Sequence, residues 1–291
     1  TLTIDINWQT KVYAAYQEDE SCSVVMNPKT GEILALVSTP SYDSMDFVLV
    51  ISQEQWDSLN NDETQPLYNR FRQTWVPGSS FKPVIAAIGL STGTLNAEED
   101  LGASGLSWQK DSSWGDYYVT TLHEYSGAAN LRNALVYSDN IYFAKAALQI
   151  GADTLAQQLE KLGFNQDIPF DIVMTSSQYS NTEGIDTEIQ LADSGYGQGQ
   201  ILVNPLHLAC IYSAFFNEGD MIAPYLEYEE GKTASYWIED AFTPEAAQTV
   251  YEDMQEVVSD AGGTGHAASS VAGVTLAGKT GTAEIKESQE D

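Results

Sequence analysis

The sequence predicts a mixed α/β (α+β) fold: an antiparallel sheet assembled from the two ends of the chain, with a mostly helical subdomain inserted between its strands. Three observations carry this. Strand-like runs lie near both termini, and helical patterns fill the middle. The 291 residues suffice for a substantial core, as one large domain or two small ones. The 43% hydrophobic and 11% aromatic content is that of a globular chain.

In chain order, the opening "TLTIDINWQ" is strand-like. "SCSVVMNPKTGEILALVSTP" reads as two apolar strands around a turn at Asn27-Pro28-Lys29-Thr30-Gly31. Residues 79–92, "SSFKPVIAAIGLST", read as a helix with Pro83 in the first turn, where its missing N–H costs little. Residues 95–130 lack clean periodicity and read mostly as loop. "NLRNALVYSDNIYFAKAALQIG" reads as two helical segments broken near Ser138-Asp139-Asn140. Helices are expected at about 153–163 and 204–217. Another starts at Thr243-Pro244-Glu245, with Thr as N-cap, and runs to about Asp260. "GVTLAGKTGTAEIK" then reads as a strand. The sheet-containing parts are thus about 1–75 and 262–291, and the helical part about 79–261.

Charge excludes some partners. A net charge of −30 and a pI near 4.1 would repel nucleic acid and anionic lipid. No run approaches the roughly 18 apolar residues of a membrane span. Cys22 and Cys210 sit in apolar settings and read as two buried free thiols. His123, His207 and His266 are scattered without metal-ligand spacing, so neither a metal site nor a His-based triad is expected.

Three short motifs carry chemistry. In Ser79-Ser80-Phe81-Lys82, Ser79 and Lys82 share a helix face, about 5–6 Å apart at Cβ. Ser79 would sit at a helix N-terminus that favours developing negative charge. A buried Lys82 could lose its proton and serve as base. Read alone, this is an N-cap serine and a surface lysine. Ser138-Asp139-Asn140 offers a hydroxyl to relay protons and an amide to hold a peptide; read alone, it is a capped helix break. Lys279-Thr280-Gly281-Thr282 offers a cation and hydroxyls for a carboxylate, with Gly281 allowing close approach; read alone, it is a turn or bulge. Together, in this order and with these wide gaps, they form the S-x-x-K, S-D-N, K-T-G set of penicillin-binding proteins and serine β-lactamases.

The chain resembles the transpeptidase domain of class B penicillin-binding proteins, and more narrowly the low-affinity, methicillin-resistance type of staphylococci. The resemblance runs from "TIDINWQTKVY" to "GKTGTAEIK" through "TGEILALVSTPSYD", "PGSSFK", "WQKDSSWG", "SDNIYFAKAAL" and "LADSGYGQGQILVNP". It implies the serine β-lactamase/penicillin-binding transpeptidase fold. Ser79 would be the acylated nucleophile, Lys82 its base, Ser138 a proton relay, and Lys279 an electrostatic support. Asn140, Thr280, Gly281 and Thr282 would bind the acyl donor, and the N–H groups of Ser79 and Thr282 would form the oxyanion hole. Tyr196 and Gln198 would line the cleft, or else only form a tight glycine turn, and Tyr117 would overhang the nucleophile.

The implied activity is a D,D-transpeptidase, a serine acyltransferase acting on D-Ala-D-Ala stem peptides of peptidoglycan and acylated by β-lactams. No cofactor is implied. The implied location is the extracytoplasmic face of the bacterial membrane, held by an N-terminal anchor outside this chain. The family's sheet continues beyond K-T-G with further strands and a long helix, whereas here only "AEIKESQED" follows. That predicts a chain cut short at both ends, with its activity as an isolated piece in question. A penicillin-sensing receptor domain is the leading alternative, ahead of a β-lactamase or D,D-carboxypeptidase.

Overall fold

A computed structural model of the chain describes residues 1–283. Helix α1 (Ile6–Tyr16) starts where Asp5 caps the backbone N–H groups of Asn7 and Trp8. Strands β1 (Ser21–Met26) and β2 (Ile33–Thr39) form an antiparallel hairpin, in register from Ser21↔Thr39 to Met26↔Ile33. Strand β2 is buried along most of its length, with Ala35, Leu36 and Val37 all inside, while β1 stays half-buried. At the hairpin turn Gly31 has φ +83°, and a Cβ there would come within 2.1 Å of the Ala223 carbonyl oxygen. Two short helices follow: α2 (Ser44–Val48), and α3 (Gln53–Asn60), which opens with a Ser52/Gln55 capping box.

The helical core comes next. A 3₁₀ turn, Gly78–Phe81, runs directly into α4 (Lys82–Ser91), whose residues from Lys82 to Gly89 are all buried. The segment up to residue 130 holds only a two-residue ladder, β3 (Ser107–Trp108) with β4 (Val119–Thr120). Helices α5 (Leu131–Val136) and α6 (Asn140–Ile150) flank the Ser138 break, and α7 (Ala152–Lys161) follows. Then come α8 (Glu188–Ser194) and α9 (Pro205–Ser213), started by an Asn204 cap. The small ladder β5 (Met221–Ile222) with β6 (Tyr236–Ile238) precedes α10 (Pro244–Ser259), capped by Thr243.

Helix α4 is the axis of the core, with α10 and α6 against it; α10 also packs on α5, and α6 on α8. Phe81, Ile85, Leu131, Leu135, Phe143 and Val250 are fully buried there. Each such side chain contributes about 1.5–3 kcal/mol by leaving water. This core fixes the bases of α4 and α6, from which the site residues project.

Three expectations are corrected. The opening residues form no strand: they make a bridge at Leu2↔Glu227 and a bond from the Asp5 N–H to the Leu34 carbonyl, and the Asp5 cap then commits the chain to helix from Ile6. Residues 274–283 form no strand, since a strand exists only through a ladder partner and none pairs with it among the described residues. The sheet expected in part at 262–291 is therefore confined, among the described residues, to the N-terminal hairpin and two small ladders. The last part of the expected strand, 284–286, and the remainder to 291 lie outside the described residues. Cys22 and Cys210 are both free, but only Cys210 is fully buried; Cys22 is half-buried.

Candidate active site

Ser79 sits in the 3₁₀ turn that leads into α4. Such a turn has about three residues per revolution, so Ser79 and Lys82 stack on one side more directly than on an α-helix. The turn is held from two directions. Gly78 donates its N–H to the Gly197 carbonyl at 2.9 Å. A Cβ on Gly78, whose φ is +53°, would come within 2.2 Å of the Thr282 carbonyl oxygen. Gly197 has φ +75°, and a Cβ there would come within 2.0 Å of the Gly78 carbonyl oxygen. Glycine at 78 and 197 is thus what lets the "YGQG" and K-T-G segments close on the serine.

Lys82 has no solvent exposure. Its Nζ lies 2.7 Å from the Ser138 carbonyl oxygen, 2.7 Å from Asn140 Oδ1 and 3.0 Å from Ser138 Oγ. Lys279 Nζ donates to the same Ser138 Oγ at 2.8 Å. Burial drives the Lys82 pKa well below the ordinary lysine value; Lys279 pushes it the same way, and Asp139 opposes. Burial also lowers Lys279, to about 8. Lys82 Nζ thus donates to the Ser138 carbonyl, to Asn140 Oδ1 and to Ser138 Oγ, and Lys279 donates to the same hydroxyl oxygen; loss of one proton from Lys82 would leave its lone pair facing the Ser138 hydroxyl. Among the described residues no hydrogen bond joins Ser79 to Lys82.

Ser138 has φ +57°, a left-handed conformation uncommon outside glycine. Asp139 holds it by capping α6 at Ile141 and Tyr142 and by accepting from Tyr125 at 2.8 Å. Asn140 donates through Nδ2 to the Thr120 carbonyl at 2.9 Å, tying α6 to the loop. Thr280 Oγ1 meets Thr264 Oγ1 at 2.9 Å.

These groups surround one cleft of about 330 Å³. Of the residues expected from sequence, Ser79, Tyr117, Ser138, Asn140, Tyr196, Gln198, Thr280 and Thr282 line it. Lys82 and Lys279 converge on Ser138 Oγ. Gly281 backs the nucleophile turn instead: a Cβ there would reach 3.4 Å from the Pro77 carbonyl oxygen and from Ser80 Cβ. Sequence reasoning missed Thr120, His123, Tyr137 and Thr264 on the walls. It also missed Asp193, although Asp193 lies inside the quoted "LADSGYGQG" run. Asp193 is 4% exposed and accepts from the hydroxyls of both Tyr117 and Tyr196. Burial and this carboxylate raise the Tyr196 pKa.

The family model for the penicillin binding protein transpeptidase domain matches residues 21–291. Penicillin-binding protein 3 of Bacillus subtilis is 45% identical over 290 residues, covering all of this chain and 43% of that protein. The peptidoglycan D,D-transpeptidase MrdA of Haemophilus influenzae is 29% identical, covering 98% of this chain and 46% of that protein. The chain thus spans less than half the length of these two relatives. Among solved structures, the imipenem acyl-enzyme complex of penicillin-binding protein A from M. tuberculosis superposes with TM-score 0.84 at 26% identity, covering 97% of this chain and 68% of that one. The D,D-transpeptidase domain of a peptidoglycan glycosyltransferase from Eggerthella lenta gives 0.82 at 27% identity, covering 99% and 72%.

Proposed function

This chain belongs to the penicillin-binding protein transpeptidase family, and we propose on that premise that residues 1–291 are the catalytic domain of a serine D,D-transpeptidase cross-linking peptidoglycan stem peptides. The observation that carries the reading is the Lys82–Ser138–Lys279 chain of amine, hydroxyl and amine under the cleft that Ser79 lines. It supplies a base, a relay and a cation in one connected set.

In the first half-reaction the Lys82 lone pair turns from Ser138 to Ser79 and takes its proton. Ser79 Oγ bonds to the carbonyl carbon of the D-Ala-D-Ala peptide bond. The N–H groups of Ser79 and Thr282 receive the negative charge that develops on the carbonyl oxygen. The proton passes from Lys82 through the Ser138 hydroxyl to the leaving nitrogen, the C–N bond breaks, and D-Ala departs. Ser79 is left as an ester. In the second half an acceptor amine attacks that ester. Its proton returns by the same relay, the ester C–O bond breaks, and Ser79 regains its hydrogen as the new peptide bond forms. Lys279 and the Thr280 and Thr282 hydroxyls face the donor carboxylate, and Asn140 holds its peptide group.

A β-lactam follows the first half only. Ring opening keeps the leaving nitrogen attached, so the acyl-enzyme persists unless a base activates water against it. Persistence of that ester, as opposed to rapid drug turnover, separates this reading from the β-lactamase one. Tyr117 on the cleft wall supports the narrower likeness to the low-affinity type. The substrate places the domain outside the cytoplasmic membrane; among the described residues no helix is long and apolar enough to cross a membrane.

The test is incubation with a peptide donor ending in D-Ala-D-Ala, with and without an acceptor amine. Free D-Ala together with a donor–acceptor peptide supports the transpeptidase. Release of D-Ala with only hydrolysed donor points to a carboxypeptidase. Penicillin acylation without D-Ala release in either arm supports the sensor domain.

A further inference from the structure

The loop that carries Tyr117 has little regular structure of its own, yet it forms a wall of the cleft. Helix α8 pins it through two carboxylates. Glu188 accepts from Trp114 Nε1 at 2.9 Å and pairs with Lys110. Asp193, one turn further and buried, accepts the Tyr117 hydroxyl, and the same oxygen, Oδ1, accepts the Tyr196 hydroxyl. The Lys110–Glu188 pair is half exposed on both sides and contributes little on its own. The Asp193 contacts are charge-assisted and shielded from water, the stronger kind. Both tyrosines line the same cleft as Ser79. A cleft of about 330 Å³ lies at the small end of the roughly 300–1,000 Å³ that drug-sized ligands occupy.

We infer that Asp193 is a positioning residue: by holding the hydroxyls of Tyr117 and Tyr196 on one buried carboxylate, it fixes the wall of the cleft and thereby selects acyl donors by bulk before Ser79 reacts. This rests on the transpeptidase reading, because it concerns access to the same serine. Asp193 lies behind the cleft lining and acts through Tyr117 and Tyr196. A bulky donor must displace the Tyr117 wall, so its apparent acylation rate is reduced by the fraction of molecules in which the wall is open. A hydrogen bond to a charged group held in the closed state makes that reduction roughly tenfold or more.

The test compares wild type, Asp193→Asn, Tyr117→Phe and the double variant. The second-order acylation rate is read with a small and a bulky β-lactam, benzylpenicillin and ceftriaxone. The expected result is a roughly tenfold rise for ceftriaxone in each single variant, a much smaller change for benzylpenicillin, and a double variant no faster than either single one. Equal changes for both drugs would show a merely structural role and overturn the inference, as would additive rates in the double variant. Tyr117→Phe keeps the buried carboxylate paired with Tyr196, so it decides the matter if Asp193→Asn fails to fold. Hydrogen exchange supplies an arm independent of activity. Asp193→Asn should speed exchange in residues 107–120, and unchanged exchange there overturns the inference. If wild type gains no adduct with either drug, the transpeptidase reading fails, and the exchange arm still decides whether Asp193 holds the wall.

Discussion

The two sides of the cleft are built by different means. On the helical side, Lys82 and Asn140 open α4 and α6, and Ser79 and Ser138 sit in the turns just before them, in a core whose apolar side chains are almost wholly buried. On the other side, residues 279–283 form no ladder among the described residues and are half-buried or exposed. What holds that side is a short set of contacts: Gly278 N–H to Met254, Thr280 to Thr264, and Lys279 to Ser138. The proposed nucleophile and base are thus prepared by packing, whereas the proposed carboxylate-binding strip is held by side-chain bonds to the helical side. The contact between the two sides passes over glycine.

The largest break in this comparison is Gly197→Ala. Its Cβ would have to stand 2.0 Å from the Gly78 carbonyl oxygen, with φ at +75°. The left-handed backbone alone costs about 1–2 kcal/mol, and the backbone clash requires the nucleophile turn to move. We expect benzylpenicillin acylation to fall by roughly a hundredfold or more, with a lower Tm by calorimetry. Wild-type acylation in this variant would show that the turn is not set by glycine contact.

Next in size is the pH response of the two lysines. In its proposed role as base Lys82 must be neutral, and burial and Lys279 hold its pKa well below the ordinary value. In its proposed role toward a carboxylate Lys279 must be charged, and its pKa is lowered to about 8. The acylation rate should therefore rise with pH as Lys82 loses its proton and fall above about pH 8 as Lys279 loses its own. Arginine stays charged throughout this range. Lys279→Arg should remove the alkaline limb while keeping the acid limb, and an unmoved alkaline limb would assign it to another group.

A smaller effect appears in stability. Lys279 has a folded pKa below its unfolded value, so the unfolded chain binds more protons between the two. Its contribution is complete above the unfolded pKa of 10.5 and is lost as pH falls through about 8. Denaturant midpoints of wild type should rise with pH across that window relative to Lys279→Met. Parallel curves for the two proteins would contradict the burial of this amine. Smallest is Thr264→Val, which removes the Thr280 partner from the less supported side. A lost neutral hydrogen bond of about 1 kcal/mol predicts a fewfold slower acylation. The matched change on the helical side, Asn140→Ala, should cost more, because it strips a partner from buried Lys82. Equal losses would erase the asymmetry.

The same contrast governs what could be read in the sequence. The helical side was legible because its signals are local. Pro83 opens α4, Ser138 breaks the pattern between α5 and α6, and Thr243-Pro244 starts α10, each as the structure has it. The K-T-G run had the composition of a strand, but a strand needs a partner that local sequence does not name. Helix α8 was not separated from its run, and α1 was hidden behind strand-like residues that the Asp5 cap overrides. The tyrosine pair on Asp193 was illegible for a plainer reason: Tyr117 and Asp193 stand 76 residues apart. Thr264 carries no motif at all, and only the fold brings it to Thr280.

Ser79, the proposed nucleophile, is made ready by the helical side and completed by residues 279–282. The most direct test is the intact mass of the chain, and of Ser79→Ala, after incubation with excess benzylpenicillin. The expected result is a one-to-one adduct that persists for hours on the wild-type chain and is absent from the variant. An adduct of the same size on Ser79→Ala, or rapid turnover of the drug by wild type with no retained mass, would contradict it.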